Sequence, residues 1–137
     1  MPDELRVEVR IGGTPVPLPA EHEQSLFRIA GEALFNTAMH AAASRAMVRL
    51  AYQDDRVRLS ISDDGGASPE EIRRTLRAAV LRGPSGDHRG LVNMNSRAQE
   101  MGGALRFRRS RIGGLQVLVD VPLPGGAYPT EQVAEAR

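Results

Sequence analysis

Apolar residues recur at three- and four-residue steps through one long stretch. Leu26, Ile29, Ala30, Ala33, Leu34 and Ala41 make a single stripe, which is the period of an amphipathic helix. Leu18-Pro19-Ala20-Glu21 opens that helix with a proline near its first turn and acids close behind. Ser44-Arg45 breaks it after about Ala43. Elsewhere the period is two, as in half-buried strands. Leu5 to Arg10 alternates, Met47 to Tyr52 alternates with Val48, Leu50 and Tyr52 on one face, and Val57 to Asp63 follows across an Asp54-Asp55 turn. Leu105 and Phe107 alternate with arginines, and Leu115, Val117, Val119 and Val121 share one face of a last strand.

Between the hairpins the pattern returns to helices. Pro69 to Leu81 is a candidate helix, and Leu91 to Met101 is another, closed by Gly102-Gly103. Arg82 to Gly90 is rich in Gly, Pro and polar residues, the composition of a lid loop. The order is strand, long helix, hairpin, lid, helix, hairpin. It predicts an α/β two-layer sandwich: a mostly antiparallel mixed sheet covered on one face by helices. Hairpins leave no room for the repeated crossovers of a Rossmann sheet. One domain over 1–124, with a lid at about 67–90, and a flexible tail over 125–137 complete the expected organisation.

Bulk composition narrows the function classes. The chain has 137 residues, enough for one substantial core. It has no Cys, which removes thiolate catalysis, disulfides and Cys-based zinc sites. All 18 basic residues are Arg, so any phosphate-binding cation must be a guanidinium. The net charge of +1 gives no global field for nucleic acid, and 4% aromatics give no stacking platform for it. No apolar run is long enough to span a bilayer and no signal peptide is apparent, so a cytoplasmic location is expected.

Within the long helix, Glu32, Asn36 and His40 stand four apart and stack on one flank. They are either a working face or a solvated edge held by ordinary helical hydrogen bonds. In the strand ending at Asp63 the phase carries that carboxylate onto the buried face with Val57, Leu59 and Ile61, where it is costly unless it meets a donor. Asp64 points the other way, as a solvated strand-end acid. Glycines follow at Gly65 and Gly90, and a helix N-terminus near Leu91 offers free N–H groups to phosphate. Asn36 offers a neutral oxygen to Mg²⁺, which takes few protein ligands, and Asp63 offers an acceptor to an exocyclic amine such as that of adenine. Arg106, Arg108, Arg109 and Arg111 form an exposed face, with a partner-docking surface as the alternative.

Four segments in register resemble one family. Leu26 to Asn36 with His40-Ala41, Asp63-Asp64-Gly65-Gly66-Ala67, Gly90-Leu91-Val92-Asn93-Met94 with Arg97-Ala98, and Gly113-Gly114 are similar to the boxes of Bergerat-fold ATP-binding catalytic domains. The nearest group is sensor histidine kinases of the nitrate- and lipid-fluidity-sensing kind. The resemblance implies ATP and Mg²⁺ as ligands. It implies that Asn36 holds Mg²⁺, that Glu32 is a neighbouring partner or base, and that these two are the catalytic positions. It places His40 near the phosphates and Asp63 on the adenine amino group, with Gly65 allowing close approach. Gly90 and Leu91 would hold the lid end against the phosphates, with Asn93 and Met94 behind, and Arg89 supplying charge.

The same resemblance implies partners outside this chain: a dimerisation domain carrying the phosphoacceptor His, and a response regulator of the NarL type. The isolated domain is expected to be monomeric and not to autophosphorylate. Departures from the family are Met39 before the helix His, Ala67 for the last glycine of its box, His88 for the first glycine of the next, and Leu115 where a threonine often reaches the adenine. They leave open a degenerate nucleotide-binding regulatory module. A stand-alone serine kinase of the anti-sigma-factor type on the same fold is the other alternative.

Overall fold

The computed structural model describes residues 4–83 and 88–123. The elements run β1 (Arg6–Gly12), α1 (Ala20–His40), β2 (Arg45–Tyr52), β3 (Arg56–Asp63), α2 (Pro69–Arg82), α3 (Arg89–Glu100), β4 (Ala104–Arg109) and β5 (Leu115–Pro122). The five strands form one sheet in the order β1-β2-β3-β5-β4. All pairs are antiparallel except β1 with β2. The α/β sandwich and mixed sheet expected from the period changes are therefore present, although strands do not all come in antiparallel pairs. The helix α1 provides the crossover that a parallel β1–β2 pair requires.

Helices lie on one face, and the apolar period decides which. Leu26, Ile29 and Ala33 of α1 meet Val57, Leu59 and Ile61 of β3, Val117, Val119 and Val121 of β5, and Met94 and Ala98 of α3 in one core. The ends of the helices follow their local chemistry. Ser68 caps α2 by accepting from the Glu71 N–H at 3.3 Å, with Pro69 beginning the helix and Glu70 and Glu71 in its first turn. Gly83 closes it with φ +91. Much of the stretch expected as a lid, 69–82, is thus ordered helix packed on β4 and α3. Residues 84–87 of that lid and the 125–137 tail lie outside the described residues.

The strand β1 departs from its expected half-buried state. Val7, Val9 and Ile11 pair in register with Ala46, Val48 and Leu50, so they point to the helical face. Yet they are 46%, 66% and 63% exposed. The reason is placement: α1 packs over β3 and β2 and against α3, leaving the outer strand uncovered. On the opposite face of the sheet no helix packs among the described residues, but Arg58 of β3 grips Asp120 of β5 with a bidentate pair of hydrogen bonds at 2.7 and 3.1 Å. Burial pushes the Asp120 carboxyl up, and the hydrogen bond and charge of Arg58, with Arg56 and Arg106 nearby, bring it below its ordinary value.

Candidate functional site

A cavity of about 550 Å³ opens between α1, α2 and α3 above the ends of β3 and β5. Ile72, Leu91, Met94, Phe107, Leu115 and Val117 make its apolar floor and walls. Besides Thr75 of α2 and His88 before α3, polar groups enter it at two main places. One is Asp63, at the last position of β3. The other is the flank of α1, where Asn36 and His40 line the cavity four residues apart.

Asp63 is 2% exposed and is held by three donors. Its Oδ2 accepts from the Thr37 hydroxyl at 3.0 Å. Its Oδ1 accepts from the backbone N–H of Gly65 at 2.9 Å and of Leu115 at 3.1 Å. A carboxylate has about four lone-pair sites, so one acceptor position remains for the cavity. The cost of burying the charge is offset inside the protein. The donor from Leu115 matters for a second reason: its side chain cannot hydrogen-bond, but its backbone does. The Ser110 hydroxyl donates to the Asp63 carbonyl at 2.5 Å and accepts from Gly114 N–H at 3.0 Å, which ties the β4–β5 turn to the end of β3.

Two glycines are required by this knot. A Cβ at Gly114 would collide with the Asp63 carboxylate and with the Gly65 N–H. A Cβ at Gly65 would collide with the carbonyl of Ala41, just past the end of α1, while Gly66 N–H donates to that same carbonyl at 2.8 Å. The close approach at Gly65 in this structure is therefore to the backbone after α1. Asp64 is also more than a solvated acid. It accepts from the N–H groups of Ser44 and Arg45 at 2.8 and 3.0 Å and from the Ser44 hydroxyl at 2.8 Å. The Arg45 and Ser44 donors lower its pKa to about 2, and the carboxylate fastens the α1–β2 loop to β3.

The α1 flank is different. The side chains of Asn36 and His40 make no hydrogen bond or ion pair among the described residues. Asn36 is half-buried and His40 exposed. Opposite them stands the start of α3, with His88, Gly90 and Leu91 in the cavity wall. This helix has neither a side-chain cap nor an acid in its first turn, and among the described residues its first N–H groups make no hydrogen bond. Glu32 does not line the cavity. A Cβ on Gly90 would strike the Glu32 carboxylate, so Glu32 lies against the first turn of α3 and Gly90 is the residue that admits it.

Of the residues singled out from sequence, Asn36, His40, Asp63, Ala67, Gly90, Leu91, Met94 and Leu115 converge on this cavity. Gly65 and Glu32 buttress it. Arg89 and Asn93 are exposed and stand outside its lining. Ala67 carries no strain, because among the described residues only Ala42 and His88 are non-glycine residues with positive φ. His88 has φ +66, so the missing glycine falls where the left-handed conformation is adopted. Thr37 and Ser110 were not signalled by the sequence. Thr37 sits in an alanine-rich helix as one more small residue, and its role appears only when β3 is laid beside it. Thr75 and Ile72 of α2 also enter the wall.

A layered α/β domain with a buried carboxylate at a strand end, a polar helix flank and a free helix N-terminus around one cavity is the architecture of a nucleotide-binding module. Residues 21–125 match the family model described as histidine kinase-, DNA gyrase B-, and HSP90-like ATPase, and the chain belongs to that family. It is 34% identical over 105 residues to the nitrate/nitrite sensor protein NarX of Escherichia coli, covering 77% of this chain and 16% of that protein. It is 34% identical over 119 residues to the sensor histidine kinase LnrJ of Bacillus subtilis, covering 87% and 26%. The chain thus spans 16% and 26% of the length of these two relatives. Among solved structures, the mycobacterial sensor histidine kinase MprB superposes with a TM-score of 0.65 at 25% identity, over 87% of this chain and 82% of that one. The ATP-binding domain of PrrB from Mycobacterium tuberculosis gives 0.62 at 23% identity, over 88% and 81%. Among the described residues no helix is long and apolar enough to cross a membrane.

Proposed function

We propose that this chain is the ATP-binding catalytic domain of a two-component sensor histidine kinase. The observation that carries this is the division of the cavity: an apolar slot ending at Asp63, and a polar mouth formed by Asn36, His40 and the uncapped start of α3. An adenine suits the slot. Its exocyclic amine donates to the remaining acceptor site of Asp63, and the apolar walls cover its faces. The triphosphate suits the mouth, where helix N–H groups take anionic oxygens.

Mg²⁺ fits the donor set. The ion takes one or two protein ligands and fills its octahedron with phosphates and water, and the Asn36 carboxamide is free to serve. Bound there, Mg²⁺ would neutralise phosphate charge. Glu32, against the first turn of α3, positions that turn or accepts a proton beside the phosphates. Catalysis in such a domain is positioning and charge compensation, with little covalent chemistry of its own. The acceptor is a His on a dimerisation domain outside this chain, and the onward partner is a response regulator of the NarL type. Likeness to NarX supports that choice, and a cytoplasmic location goes with it.

Isothermal titration of the purified chain with ATP and Mg²⁺ tests the proposal. Saturable binding is expected. Asn36→Ala should weaken it about tenfold or more in the presence of Mg²⁺, and much less when Mg²⁺ is chelated. Absence of saturable binding by the folded wild-type chain would overturn the assignment.

A further inference from the structure

The outer edge of the sheet carries a second concave surface that nucleotide binding does not use. A groove of about 830 Å³ runs between α2 and β4. Leu76, Leu105 and Phe107 line its depth, and Val80 and Leu81 stand exposed on its rim. Phe107 lines this groove and the nucleotide cavity alike, so its ring is the wall between two separate sites.

Around the groove the charge is one-sided. Arg73, Arg77, Arg106, Arg108 and Arg109 line it. Arg108 and Arg109 turn the corner of β4 and line a hollow on the open sheet face with Arg49, Arg58 and Arg111. Among the described residues two carboxylates answer these eight arginines: Glu70, 3.7 Å from Arg73, and Asp120, gripped by Arg58. The belt therefore carries +6. Since the whole chain is +1, the remainder carries −5. The six arginines other than Arg58 and Arg73 make no ion pair among the described residues. Their clustering raises the local potential for anions despite a nearly neutral chain.

The chemistry of the belt selects among anionic partners. Guanidinium forks match carboxylates bidentately, as Arg58 does with Asp120 on the open sheet face that the belt reaches. Single-stranded nucleic acid would need stacking surfaces, and Phe107, the one aromatic among the described residues that line the groove, is buried. A flat bilayer would bridge the groove without reaching Leu76 and Leu105. A strand added to the edge of β4 meets Arg73, whose guanidinium already donates to the Phe107 carbonyl. What remains is a chain segment narrow enough to enter, with carboxylates for the rim and apolar side chains for the depth.

We propose that the α2–β4 groove is a docking site for an acidic segment of a protein partner, whose carboxylates pair with Arg77, Arg106 and Arg109 while apolar side chains settle over Leu76 and Leu105. Docking of this kind needs no nucleotide, so it stands whether or not the cavity binds ATP. The test is fluorescence anisotropy with a short labelled peptide in which glutamate pairs alternate with leucine. Saturable binding that weakens with salt is expected. The double variant Arg77→Glu/Arg109→Glu should lose about tenfold in affinity or more, and Arg28→Glu on α1 should lose little. Both altered arginines are exposed, and a thermal melt confirms folding. Replacing leucine by glutamine in the peptide, which leaves the protein untouched, should also lose about tenfold. Equal binding of the glutamine peptide would overturn the docking groove in favour of bare charge attraction. Comparable binding, through the same arginines, of phosphatidylglycerol vesicles or a single-stranded oligonucleotide would overturn the choice of a protein partner. Self-association of the chain that Arg109→Glu abolishes would replace that partner by a second copy.

Discussion

At the Asp63 end of the nucleotide cavity the carboxylate, the Thr37 and Ser110 hydroxyls and the neighbouring N–H groups answer one another. At the α1 flank, Asn36 and His40 face the same cavity with no partner among the described residues, opposite a helix start with no cap. One end is finished by the fold except for one acceptor position of Asp63, and the other is left wholly for a ligand. Folding satisfies buried polar groups wherever it can, because an orphaned one costs about 1–3 kcal/mol. Asn36 and His40 are not fully buried, so the fold need not pair them, and they stay available to a ligand as the paired oxygens of Asp63 do not. The difference also separates stability from binding, residue by residue.

The largest expected effect lies at the finished end. Asp63→Ala strips an acceptor from the Thr37 hydroxyl and from the N–H groups of Gly65 and Leu115 at once. A loss of about 4 kcal/mol in unfolding free energy is expected, read from chemical denaturation. Asn36→Ala, by contrast, should change stability by less than about 0.5 kcal/mol while it weakens nucleotide binding. If both variants were equally destabilised, the division between the two ends would be wrong.

Glycines sharpen the same contrast at somewhat smaller scale. Gly114→Ala drives a methyl into the Asp63 carboxylate and the Gly65 backbone, neither of which can yield. About 3 kcal/mol of destabilisation is expected. Gly90→Ala drives one into the end of the Glu32 side chain, which can swing into solvent. Its cost should stay near 1 kcal/mol, with the change appearing instead in nucleotide affinity. Denaturation midpoints of the two variants decide, and a larger loss for Gly90→Ala would show that Glu32 is a fixed part of the core.

Much of this was legible before the strands were assembled. The change from period two to three-and-a-half marks the helices and strands, and the phase of Val57, Leu59 and Ile61 sends Asp63 inward. Asn36 was not separable from a solvated helix edge by spacing alone; only the resemblance to the family's boxes singled it out, and the structure adds that it lines the cavity. Thr37 was not legible, since its hydroxyl meets Asp63 only through a pairing 26 residues distant in sequence. The role of Asp64 was hidden for the same reason: its donors belong to Ser44 and Arg45. The alternation in β1 was real, but alternation encodes two faces and does not say whether a helix will cover either. With α1 drawn toward α3, Val7, Val9 and Ile11 stay uncovered.

The smallest effect tests the mouth of the cavity alone. His88 starts α3 with φ +66, a conformation that costs an L residue roughly 1–2 kcal/mol. Glycine removes that strain but brings its own loss of backbone entropy on folding, roughly 0.5–1 kcal/mol. The two terms nearly cancel, and the strain is the larger. His88→Gly should therefore raise stability by about 0.5 kcal/mol, seen as a small upward shift of the urea midpoint with no change in slope. A fall in stability would mean that the imidazole makes contacts that outweigh the strain, and that the mouth, like the Asp63 end, is partly finished by the fold.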